Sequence, residues 1–579
     1  MSSLFQRLRE RKIVQWALAY LAAAFIVFQS VEVMAEPWGI GPGLQRAIHV
    51  LLLVGLLVVL VLAWYHGEQG RQRASGAELL MIAALLAIAG ILLTIVRPKE
   101  EAATASGSSP AVASDRPAIA VLPFDNFSPN PDDAYFADGM HEQITSQLSR
   151  VSAIRVISRT SVMPYREERE PVRVIGVELG VNYVLEGSAR KAEDRVRLTV
   201  QLIDAGRDEH VWAEEYDRDL TAAHLFEIQS EIAERVASAL EVQLTASERE
   251  RIERHPTESL AAYDLYLLGR YYWNQLNAEG LERAVEYFEK ALDLDPDFAL
   301  AYSGLADTYM IQTQGWGLAP RDVFPKAREA AERALELDPT LAEAYTSLGG
   351  VRLFYDWDFE AAEAAFRRAI ELNPNYAPAP HWLGISLYSR ARFAEASQAV
   401  QRALALDPQS PYIRMNAGYL LYVSRQYDRA LEVYNDAIRA DSNAIVRALR
   451  GGVYVQLERF EEGIADLEFV SELLGERNLI PAAYLGFAYA RAGRRGDAER
   501  VIRELEELSA KRFVNPDYIA IVYMGLGESD KAIEWLRLAT EARTDWPLFF
   551  PVDPVIESLQ SDSRYKELLR SIGLSELIE

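Results

Sequence analysis

The chain has 579 residues, too many for one hydrophobic core and enough for roughly three to five domains. Lys and Arg number 60 against 85 Asp and Glu, and the net charge of −25 argues against binding a nucleic-acid backbone. Cysteine is absent, which excludes disulfide scaffolds, zinc fingers, iron–sulfur clusters and thiol catalysis.

Three apolar runs open the chain, at 13–33, 47–65 and 79–96. Each holds roughly 20 residues, enough at about 1.5 Å per residue to cross a hydrocarbon core of about 30 Å. Residues 1–96 are therefore expected to be a membrane domain with three spans. Arg7, Arg9, Arg11 and Lys12 precede the first span, and Arg71 and Arg73 lie in the second loop. Basic residues stay on the cytoplasmic side, which puts the N-terminus there and everything beyond Val96 opposite. Gly39–Gly43 lacks a lysine and a strand–helix context, so it reads as a loop rather than a phosphate cradle.

Residues 97–117 are rich in Ala, Ser, Gly and Pro and read as a flexible linker. From 118 to 245 the pattern is α+β. Strands are expected at Ile119–Phe124, Ile154–Ile157, Tyr183–Ala189, Arg195–Ile203 and His210–Tyr216, with helices at Tyr135–Leu148, Val172–Leu179 and Leu225–Leu244.

Several stretches of this segment carry a resemblance. They are Ile119–Phe124 (IAVLPF), Tyr135–Gly139 (YFADG), Val156–Ser161 (VISRTS), Gly180–Ser188 (GVNYVLEGS) and Gln201–Asp204 with Trp212–Glu214. In that order they resemble the TolB-like N-terminal domain of bacterial envelope proteins. Ala205-Gly206 stands where that family usually has threonine-glycine. The domain type is similar to sensor regions of CadC-like regulators and cyclase-associated membrane proteins. The resemblance implies sensing or interaction and carries no catalytic residues.

Residue chemistry in the same segment is sparse. Asp125, Asp132, Asp133 and Asp138 lack the spacing of a calcium loop. His141-Glu142 begins like a zinc-protease motif, but Thr145 stands where the second histidine must be. Arg159, between Ser158, Thr160 and Ser161, is a candidate for holding an anion, against the plainer reading of a hydrogen-bonded exit from a strand.

The C-terminal half repeats itself. Asp-Pro or Asn-Pro ends at Pro296, Pro339, Pro374 and Pro408, at intervals of 43, 35 and 34 residues. A period of about 34 with proline closing each second helix is the tetratricopeptide pattern. Gly349 with Ala362, Gly384 with Ala396 and Gly418 with Ala430 supply the small residues where paired helices must approach. About eight repeats are expected over 260–545, the second enlarged by an insertion near Trp316–Arg321, followed by a capping segment over 546–579. The Asp553-Pro554 to Tyr565 tail resembles the closing segment common to TolB-like/tetratricopeptide proteins.

Tetratricopeptide arrays present a concave groove lined by the first helix of each pair. His381, Ile385, Tyr388, Tyr412, Met415, Tyr419 and Tyr422 are expected to face it, with Phe487 in a similar place in the seventh repeat. Aromatic residues there suit peptide anchoring, although packing against the neighbouring repeat accounts for them equally well.

The expected architecture is thus multidomain, with three transmembrane helices, an α+β TolB-like domain and an all-α tetratricopeptide superhelix. The expected function is non-enzymatic: an inner-membrane protein with a periplasmic soluble region that binds protein or peptide partners. No cofactor, metal or nucleic acid is called for, and self-association stays open. Two alternatives remain, a regulatory component of a cyclase-type or CadC-type system without its own effector, and a cytoplasm-facing scaffold.

Overall fold

The structure is a computed structural model that describes residues 116–167, 170–312, 318–440, 443–475 and 478–577. A sheet module comes first. Its strands are β1 (Ala118–Val121), β2 (Asp125–Asn126), β3 (Arg155–Val156), β4 (Tyr183–Ala192), β5 (Arg195–Asp204) and β6 (Glu209–Asp219). The order is β3-β1-β4-β5-β6, with β2 beside β4. β1 runs parallel to β3 and β4, while β4, β5 and β6 form an antiparallel meander.

Helices α1 (Ala134–Ser149), α2 (Arg159–Val162), α3 (Val172–Glu178), α4 (Ala222–Ala239) and α5 (Ala246–Ile252) complete the module. All four residues of β1 are buried, because the strand is covered on both faces. Ile119 and Val121 join the larger cluster with Phe136, Met140 and Ile144 of α1. Ala118 and Ala120 turn to a thinner layer with Ile175 of α3. The short α2 and β2, and helix α5 beyond Leu244, have no counterpart among the expected elements. Two to seven residues carry too few apolar positions to show a period.

Eight helix pairs follow among the described residues. They are Leu260–Trp273 with Ala278–Leu294, Ala299–Gln312 with Pro320–Leu337, Ala342–Val351 with Phe359–Leu372, and Pro378–Ser389 with Phe393–Leu406. The rest are Pro411–Val423 with Tyr427–Ala440, Ala444–Gln456 with Phe460–Leu474, Ile480–Arg491 with Arg495–Ser509, and Pro516–Gly525 with Ser529–Ala542. Part of the second repeat's insertion lies outside the described residues. Short turns at Trp546–Phe549 and Pro554–Leu559 and a final helix at Ser563–Ser571 close the chain.

The core is not divided at the end of the sheet module. Ile144, Leu198 and Phe226 share one buried cluster with Tyr263, Phe288 and Phe298 of the first repeat and its border. Residues 113–579 accordingly form one compact unit.

The expected architecture needs a correction. What the structure describes is a mostly helical tetratricopeptide superhelix with a small sheet module. No helix among the described residues is long and apolar enough to cross a membrane. The expected spans 13–33, 47–65 and 79–96, and most of the 97–117 linker, lie outside the described residues. The integral inner-membrane placement, with its periplasmic soluble region, rested on those spans and is not carried further.

Candidate functional site

The first helices of the repeats make the surface on which side chains converge, and two pieces of the chain itself lie against it. At the N-terminal end the occupant is α1. Its Glu142 accepts from Arg270 Nε at 2.6 Å and from Asn274 Nδ2 at 2.8 Å, both on the first repeat's first helix or its cap. Arg270 also reaches Asp307 of the second repeat at 3.7 Å, and Arg159 stands 3.8 Å from Glu142. Burial would raise the Glu142 carboxyl, but Arg270 and Arg159 outweigh it and hold the group below its ordinary value. Burial pushes Asp307 up to about 7, against the pull of Arg270 and a hydrogen bond from Ser347.

Loops that close the second helices grip the far end of the same module. Asn375 Nδ2 donates to the carbonyls of Ser149 and Ile154, each at 2.9 Å, and of Val151 at 3.3 Å. Ser161 Oγ donates to Asp407 at 2.5 Å and accepts from the Gln409 amide at 2.8 Å. The Ser158 amide donates to the Leu406 carbonyl at 2.8 Å. The Ser158–Ser161 stretch thus serves as a docking edge for the array. Arg159, between them, lies 3.5 Å from the Asp138 carboxylate and 3.8 Å from that of Glu142. His141 is buried, its Nε2 2.9 Å from the Val121 carbonyl, and burial lowers its pKa to about 4.

At the C-terminal end the occupant is the segment from Arg543 to Leu559. The third repeat's first helix widens into a π turn at Arg352–Asp356, and its Tyr355 carbonyl accepts from the Arg543 guanidinium. That guanidinium also lies 4.9 Å from the centre of the Trp357 ring. The ring of Phe549 packs 6.0 Å from Tyr388 of the fourth repeat and 5.7 Å from Tyr419 of the fifth. Asp553 is fully buried and accepts from Tyr419 at 3.0 Å, Tyr422 at 3.4 Å and Tyr484 of the seventh repeat at 3.2 Å. Arg425 Nη1 donates to the Val552 carbonyl at 2.6 Å. First helices of four different repeats reach this one segment, so it lies in the concavity they enclose. Burial raises the Asp553 carboxyl, while the Val555 amide and the tyrosine hydroxyls pull it back.

The residues expected in the groove separate accordingly. Tyr388, Tyr419 and Tyr422 converge on the chain's own C-terminal segment. Phe487 and Ile385 are buried. His381 is buried too, and its Nε2 lies 3.0 Å from Asn416 Nδ2, while Asn416 Oδ1 accepts from the Tyr388 hydroxyl at 3.1 Å. Met415 is half-buried, and Tyr412 is 50% exposed. Sequence reasoning missed Asp553, Phe549, Tyr484, Arg425 and Asn375. Tyr484 carried a usable signal, three residues before Phe487 on one helix. The others sit in turns with no period. Among the described residues no group of three or more acidic, His or Cys side chains could hold a metal ion.

Residues 114–235 match a family described as HilA/YgeH-like transcriptional regulator, second domain. Tetratricopeptide families match at 265–298 and at 350–411, 381–445 and 415–468. The family matched over the sheet module is thus described as a transcriptional-regulator domain and not as TolB-like. A Rhizobium meliloti (strain 1021) protein named "Putative adenylate cyclase 3" is 42% identical over 191 residues, 33% of this chain and 32% of that protein. The transcriptional regulator HilA of Salmonella paratyphi A is 21% identical over 280 residues, 48% of this chain and 50% of that one. The chain therefore spans between a third and half of the curated relatives it matches. Among solved structures, a thermophilic tetratricopeptide protein of Thermus thermophilus is 21% identical, with 33% of this chain and 98% of that one covered and a TM-score of 0.29. The chain carries tetratricopeptide repeats, a repeat type that points to binding of protein or peptide partners.

Proposed function

We propose that this chain is a non-catalytic interaction protein whose concave face binds an extended peptide of a protein partner. The observation that carries the reading is the seating of Arg543–Leu559 on the first helices. It supports a surface able to hold irregular chain by tyrosine hydroxyls, ring packing and a main-chain contact from Arg425. Tyr412, with Met415 on the same helix as Tyr419, offers an aromatic anchor that is 50% exposed among the described residues. The matched regulator family and the cyclase relative favour a regulatory setting, in which the partner is a signalling component.

The test places a photo-cross-linking residue at Tyr412 of the full chain. Specific cross-linked partners, lost when Met415→Glu is added, are the expected result. A cross-linking pattern equal to that of a probe at exposed Gln401, on the fourth repeat's second helix, would overturn the reading.

A further inference from the structure

We infer that the ligand of the concave face is a peptide with an aromatic ring followed four residues later by an aspartate, and that Arg543–Leu559 is its resident stand-in. The inference rests on the peptide-binding reading above and names the chemistry of the partner at that site.

Three features of the seated segment argue for recognition rather than mere capping. The contacts are selective: Phe549 meets Tyr388 and Tyr419, and Asp553 meets three hydroxyls drawn from two repeats. Carboxylate acceptance by three phenols discriminates charge and shape, because an amide in the same place supplies a weaker, single-oxygen acceptor. One contact reads backbone alone, from Arg425 to the Val552 carbonyl, as peptide grooves do with any side chain at that position. The segment itself consists of two short turns and irregular chain, so its leaving breaks no long helix or strand and is opposed by the burial of Leu548, Phe550, Ile556 and Leu559 in the array's core. Its hold on the groove is helped by tethering, which raises its effective concentration to about the millimolar range. A free ligand of the same chemistry must outcompete that tether.

The probe is a fluorescent peptide of residues 545–562 of this chain, titrated by anisotropy into the full chain. In the Phe549→Ala/Asp553→Ala chain the resident segment is weakened while every groove tyrosine is kept. That chain should bind the peptide at least tenfold more tightly than the unaltered chain does. A peptide carrying Asp553→Asn should bind it at least tenfold more weakly than the native peptide. Equal affinities for the two peptides, or a folded double variant that binds no better than the unaltered chain, would overturn the inference.

Should the double variant fail to fold, hydrogen exchange on the unaltered chain decides. Amides over 548–556 should exchange faster, through a separate local opening, than those of Pro411–Val423. Exchange of the two only in common would overturn the inference. Cross-linked partners at Tyr412 without peptide binding leave the proposed function standing and remove this inference alone. Peptide binding without those partners supports the inference and overturns only Tyr412 as the partner's anchor.

Discussion

Asn375, the residue after the proline that closes the third repeat, donates its amide to the Ile154 carbonyl at 2.9 Å across 221 residues of chain. The same amide serves Ser149 and Val151, and Asn375 Oδ1 accepts from the Val156 amide at 3.4 Å. One buried side chain thereby satisfies the end of α1 and the entry into β3. It fastens the sheet module to the array where Val151, Ile154 and Val156 enter their shared core.

Asn375→Ala takes this donor from the buried Ser149 and Ile154 carbonyls, while Val151 keeps the Ile154 amide at 3.2 Å, a loss of about 1–3 kcal/mol. Thermal denaturation should show a melting temperature lowered by several degrees, and exchange of the Val156 amide should accelerate. An unchanged melt would mean that water takes over the role of the amide.

Asp517, in the first turn of the eighth repeat, sets a pH dependence. Burial and the neighbouring Asp545 push it up to about 7 from an ordinary 3.8. A carboxyl raised in the folded state contributes stability that is full below about pH 4 and is lost as pH rises through 7. Asp517→Asn removes that loss. The variant should melt close to the unaltered chain at pH 4.5 and clearly above it at pH 8. Parallel curves across that range would show that Asp517 is ionised at little cost in the fold.

Two glycines separate packing from propensity. A Cβ at Gly418 would stand 2.7 Å from Tyr434 Cζ on the paired helix, so Gly418→Ala should cost roughly 1–3 kcal/mol by overpacking. A Cβ at Gly496, in the first turn of Arg495–Ser509, meets nothing within 4 Å. Gly496→Ala should therefore stabilise by up to about 1 kcal/mol, read as a rise in denaturant midpoint with unchanged slope.

Glu142→Gln tests the charge cluster under α1. It leaves Arg270 with Asp307 at 3.7 Å as its remaining carboxylate in ion-pair range among the described residues, and a partly compensated buried cation costs about 3 kcal/mol. Denaturant melts should show the loss. Adding Arg270→Met should recover part of it, because the unpaired charge is then gone.

The repeat array was legible in the chain because its cause is local. A helix pair exposes an apolar face it cannot bury alone, so Gly349, Gly384 and Gly418 recur where the paired helix must come close, and proline recurs where it must stop. The alternation of β5 was legible for the same reason: over Arg195–Val200 one face is covered and the other is wet. That Tyr388, Tyr419 and Tyr422 share a face also follows from helical spacing. What covers that face does not. Phe549 and Asp553 lie in turns whose residues carry no period, and their docking partners are up to 161 residues away along the chain, as for Tyr388 against Phe549. Likewise, nothing local to Asn375 announces that it will bind β3. Local sequence determines which residues each element exposes, whereas the pairing of distant irregular segments depends on shape and unsatisfied polar groups that exist only once the repeats have stacked.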